Sequence, residues 1–205
     1  MATAPSPRRA NFITNKMCPY AQRVWIALEE SGTPYEMAEV SLYGAGGKPA
    51  WFTALNPKGE VPVLVTADGA VIADSEAILD HLARPNSPLA PPPPCRAAHA
   101  AALRALVNAR LKPAGKRAVL RPSPAATAEL MAALREIDAA LATPGPYACG
   151  DAFCAADASA FPFLWRVRKE FGFPDGARAL EAWADACEAR AGVRATLVGS
   201  WWWWW

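Results

Sequence analysis

The apolar positions in the first two-fifths of the chain switch between two kinds of spacing. Alternating or β-branched runs predict strands at residues 11–14, 35–42, 61–66 and 71–73. Apolar residues at helical spacing predict helices at residues 21–30, 48–55 and 74–83. Gly32 is placed to end the first helix, and Ala67-Asp68-Gly69 is typical of a tight hairpin turn. The predicted order is therefore βαβαββα.

The second half of the chain is rich in alanine and carries helical periodicity only. It predicts helices at residues 95–111, 125–142, 154–171 and 177–191, with Lys112-Pro113-Ala114-Gly115 as a break after the first. Five of the seven residues from 88 to 94 are proline, which excludes a regular element there. We therefore predict an α/β domain over residues 1–84, a stiff proline-rich linker over 85–94, an all-α domain over 95–200 and a loosely docked tail of five tryptophans, 201–205.

Composition narrows the class of protein. Of the 205 residues 53% are hydrophobic and 20% charged, the net charge is +2, and no apolar run approaches the roughly 20 residues of a membrane helix. We expect neither a membrane nor a nucleic-acid partner.

The five cysteines are odd in number and irregular in spacing, which indicates a reducing compartment and no zinc site. They are Cys18, Cys95, Cys149, Cys154 and Cys187. We expect a cytoplasmic protein. Location in an organelle, after removal of a transit peptide, is the alternative that stays open.

A long stretch without acidic residues lies in the middle of the chain. Between Asp80 and Glu129 all charged side chains are basic. The simplest interpretation is a solvated basic face. A field that draws anionic substrates toward a cleft is the alternative, and a polyanion partner is a third.

Cys18 is the first candidate for chemistry. In Met17-Cys18-Pro19-Tyr20-Ala21-Gln22-Arg23 it lies between a predicted strand and a predicted helix. Unpaired N–H groups and the helix dipole favour a thiolate at such a position, so we expect a depressed pKa. Pro19 suits the first helical turn. Ala21 stands where a C-x-x-C enzyme has its resolving cysteine, so an outside thiol must resolve any disulfide that Cys18 makes.

Two further motifs precede and open the third predicted helix. Val61-Pro62 enters a strand, which a cis peptide or a strand edge would explain, and either leaves backbone groups of Val61 to pair with an extended ligand. Asp74-Ser75 opens the helix. These side chains can cap the helix, and the same helix end can bind a carboxylate.

In order and spacing, the motifs CPYAQRVW, KPAWFTALNPKGEVPVL and ADSEAILDHL resemble the glutathione transferase superfamily. The similarity is greatest to its cysteine-type members, the omega, lambda and dehydroascorbate-reductase classes. It runs from about Asn11 to Leu82 and continues more weakly through GPYACGDAFCAADASAFPFLWR. The resemblance implies a thioredoxin-like, glutathione-binding N-terminal domain followed by the all-α domain.

The resemblance also implies roles for single residues. Cys18 would be the nucleophile, in the place where conjugating classes have Tyr or Ser, with Pro19 and Tyr20 lining the thiol site. One position departs from the superfamily: Cys154 stands where Ser or Thr usually caps the C-terminal core helix, three residues before Asp157. Because cysteine caps poorly, we expect that helix to start less firmly.

The rest of the implied site would hold glutathione along its length. Lys48 would hold the glycyl end, and Val61, beside a cis Pro62, would pair its backbone with the cysteinyl part. Asp74 and Ser75 would hold the γ-glutamyl end.

The implied activity is thiol–disulfide exchange, either dehydroascorbate reduction or deglutathionylation, with glutathione as cosubstrate and no permanently bound cofactor or metal. The partners would be glutathione and a small oxidised or glutathionylated substrate, and the protein a monomer or homodimer. Two alternatives stay open. One is conjugation of glutathione to electrophiles, and the other is a non-catalytic carrier of glutathione-linked small molecules, in which Cys18 is incidental.

Overall fold

The computed structural model describes residues 9–41, 47–91, 95–142 and 145–197. The tryptophan tail at 201–205 and the end of the proline run at 92–94 lie outside the described residues.

The N-terminal part is a four-stranded mixed sheet with helices packed on it. The strand order is β2-β1-β3-β4, with β1 parallel to β2 and antiparallel to β3, and β3 antiparallel to β4. The strands are β1 (Ala10–Thr14), β2 (Tyr35–Glu39), β3 (Val63–Val65) and β4 (Val71–Ala73). The helices are α1 (Pro19–Ser31), α2 (Ala50–Leu55) and α3 (Ser75–Leu82). The predicted order βαβαββα and the thioredoxin-like fold are confirmed.

Proline and glycine set several of the element boundaries. The helix predicted from Lys48 begins at Ala50, because Pro49 is extended and precedes the first helical turn. The strand predicted from Val61 begins only at Val63, after Pro62. Gly32 ends α1 in the left-handed conformation, φ 65°, with its N–H bonded to the last carbonyls of the helix. The predicted strand 35–42 ends at Glu39.

The C-terminal part is built from helices joined by turns. Its elements are α4 (Cys95–Leu106), a π-helical turn (Val107–Leu111), α5 (Lys112–Leu120), α6 (Pro124–Leu141), α7 (Ala155–Glu170), α8 (Arg178–Glu188) and α9 (Ala191–Ala195). The predicted all-α architecture is confirmed.

The predicted helix break at Lys112–Gly115 is wrong. The chain passes from α4 into α5 without leaving helical geometry, and the N–H of Lys112 bonds the carbonyl of Val107, five residues back. This wider turn comes just before Pro113, which then lies in the first turn of α5 where its missing N–H costs little. A proline therefore shifts the helical register here and does not end the helix.

The helix predicted over 177–191 is two helices. Arg190 is extended, with ψ 138°, and separates α8 from α9. Its guanidinium donates to the Glu30 carboxylate at 2.6 and 2.8 Å, which ties this corner to the end of α1. The break thus coincides with a long-range ion pair, which the helical propensity of the alanine-rich segment does not reflect.

Helix α7 is the central helix of the molecule, with every side chain from Ala155 to Val167 buried, and it packs against α1. The expectation of a weakly held start is wrong. The Asp157 carboxylate accepts hydrogen bonds from the N–H groups of Cys154 at 2.9 Å and Ala148 at 2.8 Å. The Asp157 carboxylate, at the third helical position, thus satisfies the N–H of the cap residue and ties the preceding loop to the helix, as the acidic residue of a capping box does.

The segment between the two parts is folded onto the C-terminal helices. Leu89 is 1% exposed, and its carbonyl accepts from the N–H of Ala155 at the start of α7. Residues 84–91 form turns, as expected for a proline-rich stretch, but they are anchored by this contact.

Within the described part of the chain, no helix is both long enough and apolar enough to cross a membrane.

Candidate active site

A cavity of about 500 Å³ opens where the starts of α1 and α3 meet the loop before β3. Its lining is drawn from every motif singled out in the sequence, and comprises Cys18, Tyr20, Lys48, Asn56, Lys58, Gly59, Glu60, Val61, Pro62, Ala73, Asp74 and Ser75. Of the predicted site residues only Pro19 is outside this lining. It is buried in the first turn of α1.

Cys18 occupies the N-cap position of α1, with extended backbone at φ −79° and ψ 120°. The residue is half-buried. Burial raises the pKa of the thiol above its ordinary value, and the N–H groups of Ala21 and Tyr20 and the charges of Arg166 and Arg23 lower it only in part. The expected depression of this pKa is therefore wrong, because the desolvation of the sulfur exceeds the stabilisation that the helix start and both cations provide.

Arg166, on α7, is the cation that the sequence interpretation missed. It is 3% exposed and donates to the Gln22 side chain at 2.6 Å, the Pro162 carbonyl at 2.8 Å and the Met17 carbonyl at 3.4 Å. Burial lowers its pKa to about 10, so it stays charged at neutral pH. An arginine within the apolar run Phe161–Val167 is the one sequence signal that could have marked it, since a buried charge needs a reason.

Tyr20 joins the thiol site to the C-terminal helices. Its ring packs edge-on against Phe163 with centroids 5.2 Å apart. The Lys112 ammonium lies 4.5 Å from the Tyr20 ring centroid, at the distance of a cation–π contact. Burial, followed by repulsion from Arg23, lowers the pKa of Lys112 to about 8. A partly desolvated cation thus stands beside the aromatic wall of the thiol site.

Lys48 lies just before α2, and its side chain reaches across to the loop before β3. The Lys48 side chain lies across Gly59, where an added Cβ would stand 2.7 Å from Cδ and 2.9 Å from Nζ. Gly59 has φ 62°, so both its backbone and its neighbour favour glycine. Asn56 holds the turn by donating to the Glu60 carbonyl at 2.8 Å. Neither Gly59 nor Asn56 was among the predicted site residues, although both belong to the quoted NPKG motif.

The peptide bond between Val61 and Pro62 is cis, and both residues line the cavity. Val61 is 8% exposed.

Asp74 and Ser75 open α3 at another part of the lining. One Asp74 carboxylate oxygen accepts from the N–H groups of Glu76 at 2.9 Å and Ala77 at 3.1 Å, so this residue caps the helix. Asp74 adopts φ 97°, a region that non-glycine residues occupy at a cost of about 1–3 kcal/mol. The Ser75 hydroxyl accepts from Arg23 at 3.2 Å. Capping and cavity lining are thus combined in the same two residues.

A buried polar cluster connects the two helix starts beneath the cavity. Arg23, fully buried, donates to the Ser159 carbonyl at 2.8 Å and the Asn108 side chain at 3.1 Å, and lies 2.8 Å from the Glu76 carboxylate. Burial opposes the charge on Glu76, but Arg23, Asn108 and Arg104 lower its pKa to about 2. The cluster links α1 and α3 to the C-terminal helices, so the site is held from both domains.

Long-range ion pairs neutralise three arginines of the basic stretch. Arg104 bonds Glu76 and Asp80, Arg110 bonds Glu136, and Arg117 bonds Glu129. The four carboxylates flank the stretch in sequence, at Glu76, Asp80, Glu129 and Glu136, so the folded chain supplies acidic partners that the stretch itself lacks.

Among the described residues, no group of three or more His, Cys, Asp or Glu side chains is arranged to hold a metal ion.

Two family models match the chain over these regions. The glutathione S-transferase N-terminal domain matches residues 17–84, and the glutathione S-transferase C-terminal domain matches residues 70–186, which is more than half of the chain. The chain belongs to the glutathione S-transferase family.

Individual relatives within this family carry the names DHAR and omega, as the cysteine-type resemblance predicted. "Probable glutathione S-transferase DHAR1, cytosolic" of Oryza sativa subsp. japonica is 29% identical over 180 residues, 84% of this chain and 80% of that protein. "Glutathione S-transferase DHAR3, chloroplastic" of Arabidopsis thaliana is 41% identical over 102 residues, 45% of this chain and 38% of that protein. The second match thus spans less than half of the relative's length.

Solved glutathione transferase structures share the whole architecture. The structure of glutathione transferase Omega 1C from Trametes versicolor superposes with a TM-score of 0.78 at 27% identity, and covers 93% of this chain and 91% of that one.

Proposed function

We propose that this glutathione S-transferase is a glutathione-dependent thiol transferase whose nucleophile is Cys18. The observation that carries the proposal is the contrast in access among the four thiols whose side chains the structure describes. Cys18 is half-buried and lines the cavity, whereas Cys149, Cys154 and Cys187 are buried. A thiol that reacts with a glutathione disulfide has to be reached by it, and Cys18 meets that condition.

The charges of the cavity suit glutathione, which carries two carboxylates and one amine. Lys48 and Lys58 offer cations on the side of the loop before β3. Asp74 and Ser75 offer a carboxylate and a hydroxyl at the start of α3, whose N-terminus also favours an anion. In our proposal the glycyl carboxylate lies toward Lys48, the backbone of Val61 pairs with the cysteinyl part, and the γ-glutamyl group lies at Asp74 and Ser75. The glutathione sulfur then faces Cys18, with Pro19 and Tyr20 beside it.

The reaction follows from these positions. The Cys18 thiolate attacks the glutathione sulfur of a glutathionylated substrate, so that a Cys18–glutathione disulfide forms and the substrate leaves as a thiolate. A second glutathione thiolate then attacks the glutathione sulfur of that disulfide and releases glutathione disulfide and the Cys18 thiolate. With dehydroascorbate as the oxidant, two glutathione molecules give up two electrons and two protons, which convert it to ascorbate. Glutathione is a cosubstrate in both cases.

The environment of Cys18 favours resolution by external glutathione. Ala21 holds the position of a C-x-x-C resolving thiol, and Cys149, Cys154 and Cys187 are buried in the C-terminal part. Arg166 and Arg23 lower the cost of the thiolate, which is both the attacking and the leaving group at Cys18.

Conjugation of electrophiles is less well supported by the same geometry. It needs a hydroxyl that donates to the glutathione thiolate, and a cysteine stands in that place. Burial raises the pKa of Tyr20, and the Thr14 hydroxyl is buried, so neither replaces it well. A carrier would need no reactive thiol at all.

A side-by-side assay separates these functions. The full chain is incubated with glutathione and, in turn, dehydroascorbate, a glutathionylated disulfide and a chloro-nitro-aromatic electrophile. We expect reduction of at least one of the first two substrates and little conjugation of the third. Strong conjugation without reduction would overturn the proposal in favour of a conjugating enzyme, and no turnover of any substrate would support the non-catalytic carrier function instead.

We propose a reducing compartment, the cytoplasm, and a monomer or homodimer as its working form. The proposed role of Cys18 favours a reducing compartment, because this thiol has to stay reduced to act as the nucleophile. Sedimentation of the full chain measures the assembly state.

A further inference from the structure

A pair of thiols, Cys149 and Cys154, lies at the start of α7, outside the lining of the cavity at Cys18. The Cys154 thiol donates to the Cys149 sulfur across 3.3 Å. Both residues are 1% exposed, and five positions separate them in the chain. Bonded sulfurs in a disulfide are about 2 Å apart, so a shift of roughly 1 Å would join the two.

We propose that Cys149 and Cys154 are a redox-sensitive dithiol, which a small peroxide converts into an intramolecular disulfide. The proposal stands independently of the reaction at Cys18. It rests on the sulfur–sulfur separation, on the loop that carries Cys149 and on a cavity that reaches Cys154.

The loop that carries Cys149 is compact and anchored at both ends. Tyr147 and Gly150 pair through two backbone hydrogen bonds of 2.9 Å, which form a tight turn around Cys149. Arg190 donates to the Tyr147 hydroxyl at 3.0 Å and lies 4.7 Å from the Phe153 ring centroid. Cys149 is therefore held against the start of α7, and the two sulfurs stay close without help from a ligand.

The route to the pair selects the size of the oxidant. Cys154 is among the residues that line a cavity of about 240 Å³ between α3, α4 and the start of α7. A water molecule occupies about 30 Å³ of liquid, so a molecule the size of hydrogen peroxide fits this cavity. Glutathione disulfide is far larger and would have to reach a sulfur in a residue only 1% exposed. We therefore assign the oxidation to a peroxide.

The oxidation is balanced in two steps. The sulfur of the Cys154 thiol attacks one peroxide oxygen and its proton passes to the other, so that the O–O bond breaks, a sulfenic acid forms and one water leaves. The sulfur of Cys149 then attacks the sulfenic sulfur, and the second water leaves with the thiol proton. Two thiols lose two electrons and two hydrogens in all, and the peroxide takes up both.

The new bond would fasten the loop to the first turn of the central helix. It would close a short loop between positions 149 and 154, which restricts the unfolded chain. We expect the oxidised protein to melt several degrees higher than the reduced one. Because Asp157 still accepts from the backbone of Cys154 and Ala148, the start of α7 would keep its hydrogen bonds.

The test uses the full chain with Cys18 and Cys95 replaced by serine, which leaves three cysteines. The protein is treated with hydrogen peroxide, denatured, alkylated and digested. The masses of the peptides are then measured by mass spectrometry. We expect the loss of two hydrogens from a peptide that contains both Cys149 and Cys154, reversal by a reductant, and a higher Tm for the oxidised form. Cys187→Ala in the same background is the matched control, because Cys187 is equally buried, and it should leave both results unchanged.

Two results would overturn the proposal. The first is full alkylation of Cys149 and Cys154 after peroxide treatment that oxidises Cys18 in the parent protein. The second is a disulfide that pairs either residue with Cys187. Cys154→Ser guards against a misleading melting shift, since serine caps a helix at least as well. This variant should fold, lose the peroxide-dependent mass change and show no rise in Tm.

Discussion

Cys18 and Cys154 hold the same position in two helices, and the structure treats them in opposite ways. Each is the N-cap of its helix with extended backbone, φ −79° for Cys18 and φ −138° for Cys154. Cys18 is half-buried, lines a cavity with two lysines and faces the charges of Arg166 and Arg23. Cys154 is buried against a second thiol and the Asp157 carboxylate, and these neighbours and its burial raise its pKa.

This difference shows that a helix N-terminus alone does not make a reactive thiolate. Both sulfurs lie at the positive end of a helix dipole, yet only Cys18 lines the cavity of about 500 Å³ and has arginine charges, Arg166 and Arg23, that lower its pKa. Even there burial outweighs them, and the thiol pKa is raised. The helix dipole stabilises a thiolate only modestly. The charges and the solvent around each sulfur decide which of the two cysteines is the reactive thiolate.

The largest expected effect comes from removing each sulfur in turn. Cys18→Ser should lower glutathione-dependent reduction by more than about a hundredfold, because the nucleophile is lost. Cys154→Ser should leave the rate within about twofold, since the replacement caps the same helix. Steady-state rates of both purified variants, with circular dichroism to check folding, make the comparison. A Cys154 variant that loses activity as fully as the Cys18 variant would remove the distinction.

The pH dependence of alkylation sharpens the contrast. Iodoacetamide reacts with the thiolate, so below the pKa the labelling rate of Cys18 falls about tenfold for each unit of pH. Because the pKa of Cys18 is raised, the rate should climb about a hundredfold from pH 7 to pH 9 without reaching a plateau. Native Cys154 should stay unlabelled throughout. A plateau for Cys18 already below pH 7 would mean that the cations and the helix start outweigh burial.

Replacement of Arg166 tests how much a nearby positive charge lowers the pKa of Cys18. Arg166→Met removes a cation that lowers the pKa of Cys18, so that pKa should rise and the alkylation rate at neutral pH should fall about tenfold. Arg168→Met is the matched control on the same helix, because Arg168 pairs with Glu181 and Asp185 on the outer side. Equal pH profiles for the two variants would show that Arg166 acts on packing alone.

The smallest expected effect is on glutathione binding. Ser75→Ala removes a hydroxyl that lines the cavity, and the apparent KM for glutathione should rise about fivefold, as for one neutral hydrogen bond. Ser159→Ala serves as the control, because its hydroxyl donates to Glu76 in the same buried cluster but is absent from the lining. Should both variants change KM alike, the effect would belong to the cluster and not to a contact with glutathione.

Local patterns predicted the elements of the N-terminal part well. Strand alternation, the hairpin turn and Gly32 are local features, and their physical causes act within a few residues. Cys18, Val61 and Asp74 were found because each stands at an element boundary with a distinctive neighbour, whereas Lys48 was found only through the family resemblance. The structure brings these four to one cavity.

Apart from the helix through Pro113, which the π-helical turn just before it allows, the errors concern interactions between distant segments. The break at Arg190 coincides with an ion pair to Glu30 from α1. The sign of the pKa shift at Cys18 depends on how deeply the fold buries the sulfur. The contribution of Arg166 depends on α7 crossing α1. None of these follows from residues adjacent in sequence.

Mapping of a glutathione adduct tests the central claim most directly. The wild-type chain is treated with about one equivalent of glutathione disulfide and digested without a reductant. The masses of the peptides are then measured by mass spectrometry. The account predicts one glutathionyl group, carried by the peptide that contains Cys18 and released when excess glutathione is added. A protein that forms no adduct, or that carries it on another cysteine while Cys18 stays alkylatable, would contradict the claim that Cys18 is the nucleophile.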